Sequence, residues 1–274
     1  MKRAIYIILI IELFGGIVKA QNIEQTFRFA NNLFEQDDYK NALEVYRRTL
    51  FFDQNNEFGP QVFKKMADCL YETSQYQEAA YYYDLAYFVH SGYLQADISL
   101  KKASCHLLLR EYNQTKIELL NLPNKLSSEQ KELSIFYGAM LNFAQGDFEV
   151  SKALFLEIAP DSSVINALFD KNKKIDKLKP KTAKILSIIM PGLGQFYAGD
   201  IKNGLNSLIL SGGLFYLGIR SALKTSLLDA GLSVIPWFQR YYSGGYNKAY
   251  AIAEAKVKER RHKVFNELLE QVED

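Results

Sequence analysis

The chain is expected to be all-α: a stack of helical hairpins, then a short apolar helical hairpin and a C-terminal helix. Three observations predict this. The first is a register of aromatic residues, Tyr39, Tyr76, Tyr112 and Phe148, spaced 37, 36 and 36 residues apart. Nine residues before each stands an alanine (Ala30, Ala67, Ala103, Ala139), and three after each a small residue (Ala42, Ala79, Thr115, Ser151). Seven after each stands a large apolar one (Tyr46, Tyr83, Leu119, Phe155). A fixed period of this size marks stacked supersecondary units rather than one globular core. The second is a glycine-rich region in which charge disappears over Ile185–Gly199, Asn203–Ile219 and Ala230–Gln239. The third is a charged C-terminal segment with an apolar stripe at helical spacing.

The N-terminus carries a basic head (Lys2, Arg3), an apolar stretch from Ala4 to Val18 broken by Glu12, and Val18-Lys19-Ala20 before Gln21. This is the order of a secretory signal, so residues 1–20 are read as a signal peptide. An uncleaved anchor is the alternative, and both readings send the following residues across a membrane. The composition, 48% hydrophobic and 14% aromatic over 274 residues, suffices for a packed domain and a second unit. The net charge of +2 gives no push towards nucleic acid.

Residues 21–160 read as helix after helix. In the second copy Met66, Cys69 and Leu70 share one helix face, Thr73-Ser74-Gln75 is a polar break, and the face resumes through Ala79, Tyr83 and Ala86. Ala67 and Ala79 are small because two helices cross there, and a larger side chain would force the backbones apart. Cys69 and Cys105 occupy equivalent positions in neighbouring copies. Packed helices lie ~8–10 Å apart, beyond the ~7 Å reach of a disulfide, so two buried free thiols are expected.

This pattern resembles the tetratricopeptide repeat (TPR) family in the first-helix alanine, the turn aromatic and the second-helix small residue. The turns Gln36-Asp37-Asp38-Tyr39 and Gln145-Gly146-Asp147-Phe148 look typical of it. His106 and Asn142 depart from the leucine seen at Leu33 and Leu70, Pro123 interrupts copies three and four, and the period exceeds the family's ~34 residues. The resemblance implies four hairpins whose first helices line a groove for a peptide or partner helix. By position the groove would include Asn31, Phe34, Glu35, Lys64, Asp68, Tyr71 and Glu72, suiting a ligand with apolar anchors and some basic character. The alternative is that these are solvated helix positions. Tyr81, Tyr82 and Tyr83 read as inter-helix packing.

Residues 161–181 read as a lysine-rich linker or surface segment, with seven lysines and one acid between Lys171 and Lys184. Residues 182–242 read as an apolar, glycine-rich membrane segment of two or three helices, since a span needs ~20 apolar residues and ~17 is the lower limit. Gly212, Gly213 and Gly218 would let helices approach closely, and Trp237, Tyr241 and Tyr242 would form an interfacial belt. Pro191, Gly192, Gly194, Phe196, Tyr197 and Gly199, followed by Gly204, resemble the TM2-type membrane hairpin family. Together with an exported repeat domain, this is similar to Bacteroidota envelope proteins of unknown role. The lysines before the first apolar stretch would then lie outside, against the tendency of positive charge to stay inside. Residues 243–274 read as a basic amphipathic helix with Ala251, Ala255, Phe265, Leu268, Leu269 and Val272 on its stripe. Such a helix would lie on headgroups, pair with a second copy, or be solvated.

No chemistry emerges. His90, His106 and His262 lack ligands at metal spacing, Gly192-Leu-Gly194 is an incomplete dinucleotide loop with Tyr197 at the third glycine, and no P-loop or nucleophile elbow occurs. The expectation is a non-enzymatic TPR adaptor without cofactor or metal. It would be tethered to the inner membrane of a bacterial envelope with its repeats in the periplasm, binding envelope proteins rather than nucleic acid or a small molecule. The alternative is a subunit of an envelope transport or assembly complex in which the membrane hairpin is the working part.

Overall fold

The computed structural model describes residues 22–273, with side chains to Gln271. The signal peptide expected at 1–20 lies outside the described residues. The described chain is helical throughout, without a strand, and divides into two compact units at Phe155/Leu156.

The first unit comprises α1 (Ile23–Glu35), α2 (Tyr39–Phe52), α3 (Gly59–Glu72), α4 (Tyr76–Val89), α5 (Tyr93–Leu108), α6 (Tyr112–Leu120), α7 (Ser128–Gln145) and α8 (Phe148–Ile158). Each hairpin turns in the same way. The residue two before each register aromatic is left-handed: Asp37 (φ 58°), Ser74 (61°), Arg110 (62°) and Gly146 (91°). The next residue's N–H reaches back to the carbonyl five residues earlier, Asp38 to Leu33 (3.0 Å), Gln75 to Leu70 (2.8 Å), Glu111 to His106 (2.8 Å) and Asp147 to Asn142 (2.9 Å). This closes the first helix in a Schellman turn and satisfies carbonyls that its end would otherwise leave orphaned. Because the acceptor is a backbone carbonyl, His106 and Asn142 replace leucine without changing the turn. Helix starts are capped locally: Asn22 accepts from the Glu24 N–H (3.1 Å), and Ser127 and Gln130 form a reciprocal capping box.

The register is also the packing register. Ala30, Ala67, Ala103 and Ala139 are buried opposite buried Ala42, Ala79, Thr115 and Ser151. The turn aromatic packs edge-on against the residue five before it in three copies: Phe34–Tyr39 (5.4 Å), Tyr71–Tyr76 (5.5 Å) and Phe143–Phe148 (5.2 Å). Successive helices from α1 to α6 pack pairwise, and α7 packs on both α5 and α6.

The second unit contains α9 (Ser162–Ile175), α10 (Pro180–Ile189), α11 (Leu193–Tyr197), α12 (Ile201–Lys224), α13 (Leu227–Ser233) and α14 (Ile235–Glu273). Residues 161–181 are therefore not a linker. Asp161 caps α9 by accepting from Ser163 N–H (2.7 Å), and Ile165, Leu168, Phe169, Asn172 and Ile175 make one buried stripe. Lys171, Lys173 and Lys174 are exposed around that stripe, which is why composition alone reads as a solvated segment. The expected boundary between residues 242 and 243 also dissolves, because α14 runs through it for 39 residues, about 58 Å. Helices α9 to α13 all pack on α14. Its buried face is Ala249, Ala253, Val264 and Leu268, whereas Ala251 and Ala255, expected on the stripe, are exposed.

The first uncharged stretch is broken at Pro191 into α10 and α11, the second forms α12, and the third is divided between α13 and α14. Among the described residues no helix is long and apolar enough to cross a membrane. The glycines at the break bring backbones together. At Gly192 (φ 95°) a Cβ would stand 2.4 Å from the Gly204 carbonyl oxygen, and at Gly194 it would stand 1.8 Å from that of Ala183. Gly212 and Gly213 do not play the close-approach role expected of them: nothing lies within 4 Å of a Cβ built there.

The two kinds of glycine respond oppositely to alanine. Gly194→Ala should lower the stability of the second unit by about 2 kcal/mol, since a backbone must move. Gly212→Ala should raise it by about 0.5–1 kcal/mol through helix propensity. Urea titration of the two variants checks both signs.

Candidate binding surfaces

Most of the residues assigned to the groove hold the stack together. Asn31 Oδ1 accepts from the hydroxyl of buried Tyr46 (2.6 Å), and its counterpart Asp68 accepts from buried Tyr83 (2.7 Å) and from Lys64 Nζ (2.8 Å). Burial and the adjacent Asp68 carboxylate push the Tyr83 hydroxyl far above its ordinary range. Tyr71 OH bonds Ser104 Oγ on α5 (2.7 Å). Glu35 and Glu72, at the ends of α1 and α3, are exposed.

Between neighbouring hairpins the same positions carry a second repeated contact. Lys65 Nζ lies 3.8 Å from the centre of the Phe34 ring, and Lys101 Nζ 4.5 Å from that of Tyr71. Such cation–π pairs contribute roughly 0.5–1 kcal/mol each when partly exposed. Sequence reading missed them. The signal was present, because Lys65 and Lys101 stand at the same place in successive copies.

A polar cleft of about 730 Å³ opens beside α4, α5 and α6, lined by Asp84, His106, Arg110, Glu111 and Glu118 among others. His106 Nδ1 meets Glu111 Oε2 at 2.7 Å. Behind it the buried ammonium of Lys102 bridges Asp84 and Glu118, the latter at 2.8 Å. Burial alone would lower the Lys102 pKa, but hydrogen bonds to these two carboxylates outweigh it and hold it above the ordinary value. Lys102 is buried, Glu118 is partly buried and Asp84 is half exposed, so removing either carboxylate would leave the buried ammonium short of a partner. The cleft presents no serine or cysteine nucleophile. No group of three His, Cys, Asp or Glu among the described residues could hold a metal ion.

In the second unit the glycine motif is a packing core with its own polar lock. Gly194 N–H donates to Ser187 Oγ (2.9 Å), which donates to Gln195 Oε1 (2.8 Å), while Gln195 Nε2 donates to Gly245 O on α14 (2.9 Å). Tyr197 OH donates to Lys177 O (2.7 Å), Phe196 lies over Gly204, and Lys256 Nζ donates to Gly199 O (3.1 Å). Pro191 is half-buried at the α10–α11 break. The surface of this unit is unusually apolar. Ile209, Phe215, Tyr216 and Leu223 on α12, and Leu227, Leu228 and Leu232 on α13, are all at least 60% exposed. Monomeric soluble surfaces rarely concentrate large apolar side chains in this way, and such patches mark interaction sites. Trp237 and Tyr241, expected in an interfacial belt, stack at 6.5 Å and are partly exposed.

Compared with protein-family models, curated proteins and solved structures, the chain gives no match.

Removing the Asp68 carboxylate with Asp68→Ala strands the Tyr83 hydroxyl and should cost about 1–3 kcal/mol, whereas Glu72→Ala should change stability by less than about 0.5 kcal/mol. Chemical denaturation of both variants decides whether Asp68 is structural. Cys69 and Cys105 are free and buried, and burial pushes both thiols up to about 12 from the usual 9.0. The folded chain therefore favours the protonated sulfur. That contribution to stability is complete below pH 9 and is lost as pH rises towards 12. In native protein at pH 8 a thiol reagent such as DTNB should react only at the rate of opening, and denaturant should release both thiols at once.

Proposed function

We propose that residues 22–160 form a TPR-type stack that binds a protein partner, and that the second unit holds this stack at a membrane. The protein acts as an adaptor rather than an enzyme. The observation that carries the partner-binding half is the four-copy register, in which turn and small-residue crossing repeat together, joined in three copies by the aromatic contact. Stacks of this kind expose long surfaces built for other chains. Phe51 and Phe88, both 81% exposed and 37 residues apart in register, offer apolar anchors at the ends of α2 and α4.

The membrane half rests on the exposed side chains of α12 and α13. With no helix apolar and long enough to span among the described residues, the mode of attachment we favour is insertion of this surface into one leaflet's interface. The signal peptide expected from the sequence of residues 1–20 supports placing the assembly on the outer side of a bacterial inner membrane. A second reading, in which the hairpin is the working part of a transport or assembly complex, is favoured by the density of exposed apolar side chains on α12 and α13.

Vesicle flotation of the full chain tests the membrane half. The wild type should float with liposomes, and replacing Leu227, Leu228 and Leu232 by serine should reduce flotation at least tenfold at unchanged helix content. Equal flotation of both would sink this reading. Cross-linking in the native envelope, with Phe51→Ser/Phe88→Ser as the comparison, should lose specific adducts if the stack is the binding part. Adducts that persist there, yet vanish on deleting residues 201–234, would favour the second reading.

A further inference from the structure

The second unit holds a cavity of about 270 Å³ between α12 and α14. Arg240 and Lys248 of α14 line it, eight residues and about 12 Å apart along the helix. Neither forms an ion pair with the described residues. Across from them, on α12, are the amide of Asn206 and the hydroxyl of Ser207. Ser207 is 9% exposed, and its Oγ has no hydrogen-bond partner. That hydroxyl faces the backbone of Gly245, where a Cβ would stand 2.6 Å from it, so the polar donors open to the cavity are the Asn206 amide and the two cations.

No carboxylate lines the cavity. Asp200, bonded to the lining residue Asn203, is turned to its own helix start, accepting from the backbone N–H (3.0 Å) and Nδ2 (2.7 Å) of Asn203. Its pKa lies below the ordinary carboxylate value chiefly because of those bonds, with Lys256 and Lys248 contributing charge. The unlined charge is therefore positive. Gly244 forms part of the wall, and nothing lies within 4 Å of a Cβ built there, which leaves room for a bulky oxyanion; at the neighbouring Gly245 that space is taken by Ser207 Oγ.

The remaining wall is apolar. Leu210 and Tyr241 line the cavity and are themselves exposed, and Ile209 next to Leu210 belongs to the exposed apolar surface of α12. A ligand filling this site would be anionic at one end and apolar at the other. The volume is at the small end for a ligand pocket, suited to a headgroup rather than to a whole amphiphile.

We propose that the cavity between α12 and α14 binds the phosphate headgroup of an anionic phospholipid. Arg240 and Lys248 clasp the phosphate, Asn206 donates to its oxygens, and the acyl chains run out along the apolar face past Leu210 and Tyr241. This rests on the membrane reading above and adds to it a lipid class and a site. The guanidinium suits a phosphate because it presents two parallel donors.

The test is flotation of the full chain with vesicles of phosphatidylcholine alone and with phosphatidylglycerol added. Phosphatidylglycerol should strengthen binding on the order of tenfold, the scale expected for two cations meeting an anionic surface. In Arg240→Gln/Lys248→Gln this gain should disappear while binding to phosphatidylcholine persists, and Arg240→Lys should keep part of it. Both residues are exposed, so neither change should disturb folding. The proposal is overturned if the gain survives the double variant. It is equally overturned if the gain is lost instead on replacing Lys174 and Arg260, which line a separate basic cleft. Suppression of the gain by millimolar inorganic phosphate would reassign the cavity to a free phosphate. Equal binding to both vesicles would defeat the headgroup site alone, whereas binding to neither would defeat the membrane reading as well.

Discussion

In the first unit the distance between the two helices of each hairpin depends on a pair of small side chains at their crossing. Ala30 meets the Ala42 region, Ala67 that of Ala79, and Ala139 that of Ser151, all without solvent exposure. Ser151 Oγ donates to Ala139 O at 2.8 Å, closing the fourth crossing by a hydrogen bond where the first two have alanines on both helices. Everything else in the unit presupposes that close approach. The left-handed residue can turn the chain in so few steps only because the helices it joins are nearly in contact. The hydroxyls of Tyr46 and Tyr83 reach Asn31 and Asp68 across the same gap. Copies three and four lack this tyrosine bond, having Leu119 and Phe155 instead, and rely on apolar packing.

The second unit solves a related problem differently. Here one long helix, α14, serves as a common wall for the five before it, and glycines rather than alanines set the approach. The close contacts leave polar backbone groups in the interior, and Ser187, Gln195 and Tyr197 satisfy them. The motif resembling a membrane hairpin therefore spends its glycines and its polar side chains on internal packing. What it leaves exposed are the aliphatic faces of α12 and α13. That exposed surface is the one on which the proposed membrane attachment rests.

The lysines between 171 and 184, which conflicted with an inserted topology, take a different meaning in the folded unit. Lys171 pairs with Glu267 at 2.6 Å, and Arg261 of α14 pairs with Asp176, so part of the charge ties α9 to α14. These exposed pairs contribute little energy each, but they sit on a helix already held by its buried stripe. The conflict with charge topology arose from treating the segment as a loop beside a span.

The sequence by itself determined the hairpins of the first unit. Their period, small crossings and turn aromatics are constraints between residues a few positions apart, and such constraints leave a periodic trace in the chain. The same locality made Cys69 and Cys105 legible as buried free thiols. The tertiary structure alone decided that Asn31, Asp68 and Tyr71 are engaged within the stack, because their partners Tyr46, Tyr83 and Ser104 are 15 to 33 residues away. It also decided that residues 162–175 fold as a helix on α14 and that Gln195 reaches Gly245 fifty residues on. The cavity between α12 and α14 belongs to this second kind: Ser207 and Arg240 have no common pattern in sequence. Long-range packing brings them together, since burying the apolar stripe of one helix requires a partner that only the completed fold supplies.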